Sequence, residues 1–368
     1  MAIRGAVLPY CSKCGAELDK DAKFCPKCGT VVGPPVAKPK RKPMSTLAIA
    51  VIILIVVATV VTILAAVTFL PHPSVNTVDV TDSRDVPYRP AVDTINFDFT
   101  ADVAGVNIAF EDLAGRLATL DVSVSGEVET YDSAVSDLTF DDVVDLTFDD
   151  VVVDNVLTVT SEFDSTDPNV RRWISLSVTC DIRIDLSLNA SLVVETSVGG
   201  IVLDTEAGVV FDSLSLKTIT GGVKAHLVDD VVVAGDVSIK TTTGGAEFFL
   251  DNAVVTKDVL VEVQTVTGGV KVDITQHREF AGNITLKAGA TTGGLNFAID
   301  IQGDVGAIGR ATAGDIDDVR PHLVGFEISF LDYPPAVLQS DNYPAGDNFD
   351  ITLRVVTGRI DIDADYTP

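Results

Sequence analysis

Positive charge, histidine and cysteine are all scarce in this chain. Its 368 residues hold 26 Lys/Arg against 53 Asp/Glu, with four His and five Cys, for a net charge of −27. A field of that sign repels polyanions, so nucleic acid is not an expected partner. The histidines, His72, His226, His277 and His322, are scattered, and no convergent carboxylate pair or nucleophile–His constellation stands out. No catalytic residue and no organic cofactor is therefore expected. Four of the cysteines crowd near the N-terminus, which leaves Cys180 alone beyond them. The long C-terminal portion thus has no intrachain disulfide to form, and nearly 300 residues can bury a core without one. Helical periodicity is also missing there; from Ile95 onward the pattern is short alternating stretches broken by Gly, Asn and Asp.

A long uncharged apolar run is present. STLAIAVIILIVVATVVTILAAVTFL, Ser45–Leu70, holds no charge and no proline. At a helical rise of about 1.5 Å per residue it extends roughly 39 Å, enough for a tilted membrane span. Lys38, Lys40, Arg41 and Lys42 precede it, while Arg84 and Arg89 follow among Asp79, Asp82 and Asp85. That bias places the N-terminus in the cytoplasm and the C-terminal part outside. A cleaved secretory signal would need a shorter apolar core and a smaller leader. Residues 1–43 hold nine Lys/Arg and three Asp/Glu and the run holds none, so the outer part carries 17 basic and 50 acidic residues. Its net charge of −33 keeps it soluble.

Before the run, CSKCGAELDKDAKFCPKCG sets Cys11, Cys14, Cys25 and Cys28 as two C-x2-C-G knuckles ten residues apart. Each knuckle turns two thiolates toward one point, and two knuckles make the tetrahedral S4 site suited to a structural Zn2+. A reducing cytoplasm disfavours disulfides. Lys13, Lys20, Lys23 and Lys27 are nearly balanced by Glu17, Asp19 and Asp21, so a docking module for a cytoplasmic protein is expected rather than a nucleic-acid reader. Gly33–Pro43 reads as a basic, Pro-rich linker whose cations can touch lipid head groups.

The outer part repeats. TSVGGIVL (196–203), TITGGVKAHL (218–227), TTTGGAEFFL (241–250), TVTGGVKVDI (265–274), ATTGGLNFAI (290–299) and VVTGRIDI (355–362) share a glycine corner between two alternating stretches. The first four intervals between corners are 22, 23, 24 and 25 residues, which suits one coil of a β-solenoid. The expected fold class is all-β: an extracellular solenoid-like domain with capping strands, behind one transmembrane helix and a small zinc ribbon. The rival is an antiparallel sandwich with each Gly-Gly at a hairpin tip. Expected boundaries are ribbon 10–30, linker 31–44, span 45–70, linker 71–91, an N-terminal β region or cap 92–190, repeat 191–300, and a cap with the last coil 301–368. Inward threonines would exchange hydroxyl hydrogen bonds between coils.

These T-x-T-G-G-V units resemble the bacterial and archaeal putative-adhesin domains, also called toast-rack domains, whose fold is a β-helix-like stack. The pairing of an N-terminal zinc ribbon with one membrane helix resembles the archaeal members. The resemblance spans most of 95–365, fits poorly over 130–155, and is strengthened by SDNYPAGDNFDITLRVVTGRIDI (340–362). It implies a cell-surface role in attachment or in sensing envelope stress, and no catalytic residues.

Several candidate sites remain. DLTFDDVV occurs twice, at 137–144 and 145–152, and Asp137, Asp141, Asp142, Asp145, Asp149 and Asp150 could ligate Ca2+, although a solvated acidic strand pair explains them without a metal. Ile174, Leu176, Val178, Cys180, Ile182, Ile184, Leu186 and Leu188 share one strand face, which makes Cys180 a core residue. Enzymes on parallel β-helices often act on polysaccharides, but the outward ladder Lys224, Glu247, Lys271 alternates in sign and reads as structural. Asn189 and Asn283 head glycosylation sequons with outward parity. Outward Lys217 and Lys240 share a column, with Lys287 nearby; their mutual repulsion makes them a candidate contact for an anionic envelope glycan.

Overall fold

The computed structural model describes residues 10–11, 13–19, 22–30, 51, 54–62, 74–130, 138–165, 170–314, 318–330 and 336–368. It divides into two compact units, Met1–Leu70 and Pro71–Pro368. In the first unit residues 54–62 are helical. No helix among the described residues is long and apolar enough to cross a membrane. The rest of the expected span, 45–50, 52–53 and 63–70, lies outside them, as do the linker 31–44 and His72.

The second unit consists of two open sheets whose central strands are parallel. Among the described residues seven coils succeed one another, each giving one strand to the second sheet, turning a corner, and giving the next strand to the first sheet. They are Thr94–Val103 with Gly105–Glu111, Asn189–Val198 with Ile201–Asp204, Val210–Thr220 with Val223–Leu227, Val237–Thr243 with Ala246–Asp251, Val259–Thr267 with Val270–Gln276, Asn283–Thr292 with Leu295–Gln302, and Asp347–Thr357 with Ile360–Thr367. The Gly pairs sit at corners between sheets, not at hairpin tips. The first coil escapes the T-x-T-G-G pattern because Ala104–Gly105 replaces Gly-Gly, although DVAGVNIAF echoes TTGGAEFFL.

Period-two alternation explains the core. Leu216, Ile239 and Val263 stack in one inward column of neighbouring strands and are fully buried; Ala225, Phe248, Val272 and Phe297 do the same after the corner. Thr218, Thr241 and Thr265 share a further column and are buried. Their hydroxyls do not bond one another, as the sequence suggested. Thr218 Oγ1 donates to Gly199 O (2.9 Å), Thr241 Oγ1 to Gly221 O (2.9 Å) and Thr265 Oγ1 to Gly244 O (3.0 Å). In return the corner amides of Gly199, Gly221 and Gly244 donate to the carbonyls of Thr220, Thr243 and Thr267 in the following coil. Each corner peptide is thereby satisfied on both sides.

The chain outside the coils extends both sheets past the stack. Val170–Asp185 runs parallel to Gly105–Glu111, then Arg116–Thr130 and Ser74–Pro87 add antiparallel strands. Residues 74–87 are therefore an edge strand rather than the expected linker, because Val78, Val80 and Val86 alternate inward. Val156–Asp164 and Asp145–Val153 extend the second sheet beside the first coil. At the far end Val319–Val324 joins the first sheet, while Val305–Thr312, Ala336–Ser340 and Phe326–Phe330 join the second. Charges on the outermost strands, such as Asp79 and Asp85 at one edge and Asp145 and Asp149 at another, discourage edge-to-edge association.

Two expectations fail locally. The twin DLTFDDVV segments are not a strand pair: Phe140–Asp142 forms a short 3-10 turn, and only the second copy is a strand. The first copy is held by Phe140, Val143 and Val144 entering the core, and by the Asp142 carboxylate accepting from the Thr139 amide and hydroxyl. Those bonds hold the Asp142 pKa below its ordinary value. Ile174 also leaves the predicted face. A bulge opposite Glu127 and Val128 skips it, so it is 48% exposed while Trp173 turns toward the core and donates to Ser165 O at 2.8 Å. Cys180 stays buried as expected, and burial pushes its thiol up to about 12.

The corner column makes a sharp stability prediction. At Gly244 φ is +140°, and a Cβ would lie 1.9 Å from Gly221 O. At Gly208 φ is +86° with nothing within 4 Å of a Cβ. Gly244→Ala should cost about 3 kcal/mol or more, against about 1 kcal/mol for Gly208→Ala. Thr241→Val should cost about 1 kcal/mol by orphaning the Gly221 carbonyl. Urea unfolding of the three variants checks this; equal losses at the two glycines would refute the close-approach argument.

Candidate metal centre and outward faces

The clearest site is built by the two knuckles. Gly15 (φ +70°) and Gly29 (φ +68°) take the left-handed turn that closes each one. The amides of Gly15 and Gly29 donate to Cys11 O (2.9 Å) and Cys25 O (2.8 Å), and those of Cys11 and Cys25 to Ala16 O and Thr30 O (both 2.8 Å). This repeated wiring turns both thiol pairs inward. Leu18 is buried with Cys11 and Cys25 beneath them, while Cys14 and Cys28 lie nearer solvent.

All four sulfur atoms lie within 4.8 Å of one another. Cys11 Sγ is 3.7 Å from Cys28 Sγ, and Cys14 Sγ is 3.6 Å from Cys25 Sγ. A tetrahedron with Zn–S bonds of about 2.3 Å has edges of about 3.8 Å, so the cluster already has the size of a ZnS4 centre. The electrostatics also suit a cation. The Lys13 and Cys14 amides hold Cys11 below the usual thiol pKa. The hydroxyl and amide of Thr30 bring Cys28 to about 6. At Cys14 the Ala16 amide pulls down, but the Cys28 sulfur, burial and the other two thiols push the value to about 12. Four thiols this close resist carrying negative charge together, and a divalent ion resolves that. With Cys28 as thiolate, Thr30 Oγ1 is the donor across their 3.2 Å contact, an outer partner the sequence reading missed.

Residues 10–32 match a zinc-ribbon domain family. This is a structural zinc ribbon. Its aromatic residues Tyr10 and Phe24 are 59% and 61% exposed, and Tyr10 Oη donates to Glu17 Oε1 at 3.0 Å.

No curated protein matches the chain. Solved structures similar to it include a "putative cell adhesion protein" from Clostridium sporogenes, at 12% identity and a TM-score of 0.35, covering 78% of this chain and all of that one. Another is a "putative adhesin" from Bacteroides fragilis, at 12% identity and a TM-score of 0.30, covering 80% of this chain and 98% of that one. Similarity of that size says nothing of function, which rests on the chain's own residues.

The outward face of the second sheet carries the lysines singled out above. Lys217 and Lys240 are register neighbours, but their repulsion is offset: Lys217 Nζ pairs with Glu195 Oε2 at 2.8 Å and Lys240 Nζ with Glu262 Oε2 at 2.9 Å. Lys287 sits one column away, beside Glu262. It lines a groove of about 600 Å³ together with Lys217, Lys240, Gln264 and Arg354. On the first sheet Lys224, Glu247 and Lys271 are in register, and the Lys271 and Lys224 ammonium groups stand 4.6 and 5.8 Å from the Phe249 ring centre. His226 Nε2 lies 3.2 Å from Asp251 and His277 Nε2 3.1 Å from Asp300, while His322 faces Asp363 across the next strand pair. The two sequons differ: Asn283 is exposed and its backbone amide donates to Asp258 Oδ1 at 2.8 Å, whereas Asn189 is half-buried between Thr94 and Val210. Among the described residues the four cysteines form the one cluster able to hold a metal ion, and Asp137 lies outside them.

A strong chelator should unfold the ribbon, and metal analysis of the native chain should return zinc bound by the four cysteines. Thr30→Val should weaken zinc binding about tenfold. Amide NMR of the knuckle residues reads both; dispersion that survives excess chelator would show that the thiols close the ribbon without metal.

Proposed function

We propose that the chain is a single-pass surface protein. Residues 45–70 cross the membrane, the zinc ribbon stands in the cytoplasm, and the acidic stack of coils, a β-solenoid with capped ends, stands outside and binds or spaces envelope components. One observation carries the reading. The described helical stretch is apolar all round, with Leu54, Ile55, Val56, Val57, Val60 and Val61 each at least 47% exposed. Its only hydroxyls are bonded back to its own carbonyls, Thr59 Oγ1 to Val56 O (2.8 Å) and Thr62 Oγ1 to Ala58 O (2.9 Å). A helix with no apolar face covered and no polar atom unpaired suits lipid. The cluster Lys38, Lys40, Arg41 and Lys42 before it, against no Lys or Arg until Arg84 after it, supplies the orientation.

In this reading the outer unit is not an enzyme. The His226–Asp251 and His277–Asp300 contacts lie on the outward face of the first sheet, and stacked coils that present periodic outward columns suit spacing and attachment. Asn283, being exposed, is the better glycan acceptor of the two sequons. A second reading, transmembrane sensing of envelope stress, draws support from the exposed Tyr10 and Phe24, which offer the ribbon a contact for a cytoplasmic protein.

Labelling intact cells tests the arrangement. A cysteine introduced at Glu206, in an exposed turn, should react with a membrane-impermeant maleimide from outside, whereas Cys14 and Cys28 should react only after lysis and zinc removal. Protection of position 206 in intact cells would overturn the orientation.

A further inference from the structure

The groove on the second sheet is out of character with the domain that holds it. The outer part carries 50 acidic residues, yet the groove is lined by Lys217, Lys240, Lys287 and Arg354 and by no carboxylate. Two of those cations are already paired, through Glu195 and Glu262. Among the described residues no ion pair involves Lys287 or Arg354; Glu262, the carboxylate in register with Lys287, is held by Lys240. The groove exists because one outward column is interrupted. The column runs Lys217, Lys240, Gln264, Gly289, Arg354 in register. At Gly289 a Cβ would lie 2.7 Å from Arg354 O, so the position is held to glycine and the floor is left low. Gln264 then stands on one wall and Arg354 on the other, with Lys287 diagonally adjacent. Beside them runs an outward strip of Thr242, Val266, Thr291 and Val356, with Val266 49% and Val356 50% exposed.

We infer that this groove binds an acidic oligosaccharide, with Lys287 and Arg354 pairing its carboxylate or sulfate groups, Gln264 bonding its hydroxyls, and the Val266–Val356 strip lying under its sugar rings. The inference rests on the outward placement of this unit. The chemistry selects the class. The lining residues belong to five successive coils, about 19 Å from first to last at roughly 4.8 Å per step, which suits a linear chain rather than a small free anion. A sugar ring brings an apolar face and a hydroxyl rim together, matching an apolar strip beside polar donors. Arginine presents a planar fork that fits a carboxylate or sulfate edge, and lysine supplies a mobile point charge. The unpaired status of Lys287 and Arg354 moves the binding charges away from Lys217 and Lys240, which the sequence alone had favoured.

The test uses the full chain in detergent, with short oligosaccharides of a uronic acid, the same lengths carrying sulfate instead, and neutral ones, at low and moderate salt. The native protein should retain one acidic series and ignore the neutral one, with binding weakened by salt as exposed ion contacts are screened. The double variant Lys287→Gln with Arg354→Gln should bind at least tenfold more weakly. Lys287→Arg with Arg354→Lys should stay within a few-fold of native. Lys224→Gln with Lys271→Gln, the same charge change on the other sheet, should leave binding intact. Equal loss in both Gln pairs, binding within twofold of native in the groove variant, or equal retention of neutral sugars would each overturn the inference. Capture of an acidic peptide in place of every sugar would overturn it too. Maleimide labelling from outside is scored separately, so a misplaced domain and an empty groove give different results.

Discussion

The C-terminal unit depends on how closely its coils approach at their corners. The Cα of each corner glycine rests against the preceding coil's corner carbonyl, with 1.9 Å left where a Cβ would go at Gly221, Gly244 and Gly268. That separation lets the corner amide reach the next coil's Thr carbonyl while the buried Thr hydroxyl reaches the corner carbonyl behind it. Leaving one of these half-buried carbonyls unpaired would cost on the order of 1 kcal/mol, and three successive corners, at Gly199, Gly221 and Gly244, are closed in this way. The interval between corners can drift by one residue per coil because the slack is taken up between the coils' strands, at turns such as 205–209, not at the corner itself.

Once the interior is fixed by two-residue alternation, the outward positions are free to carry whatever the surface requires. On one sheet they hold Lys224, Glu247 and Lys271 around Phe249, a self-contained arrangement. On the other they hold cations, two of them neutralised by carboxylates one strand away. The acidic bulk of the domain makes the remaining cations, Lys287 and Arg354, stand out. A column of like positions would leave a flat surface. A single glycine, required by the backbone of the neighbouring strand, turns that surface into a groove.

The N-terminal ribbon works on the opposite principle. It has Leu18 and two cysteines for a core, too little apolar area to fold a segment of this size. Its order comes from paired backbone turns that preset the sulfur positions, and the ion supplies the rest of the folding energy.

Residue spacing alone determined the zinc site, the repeat, the inward columns and the apolar run. Each is a strictly local or strictly periodic signal: C-x2-C-G fixes a knuckle, and alternation fixes a face. Tertiary structure decided the features in which two distant stretches meet. Identical DLTFDDVV segments became a capped turn and a strand, because one can insert Phe140 into the core and the other pairs with Val156–Asp164. Ile174 was expelled by a bulge on its partner strand, and residues 74–87 found an edge to join. The ion pairs of Lys217 and Lys240, and the gap at Gly289, exist only once coils some 22 to 65 residues apart in sequence lie side by side. Pairing across the stack sets which charge faces which, and no window along the chain contains that information.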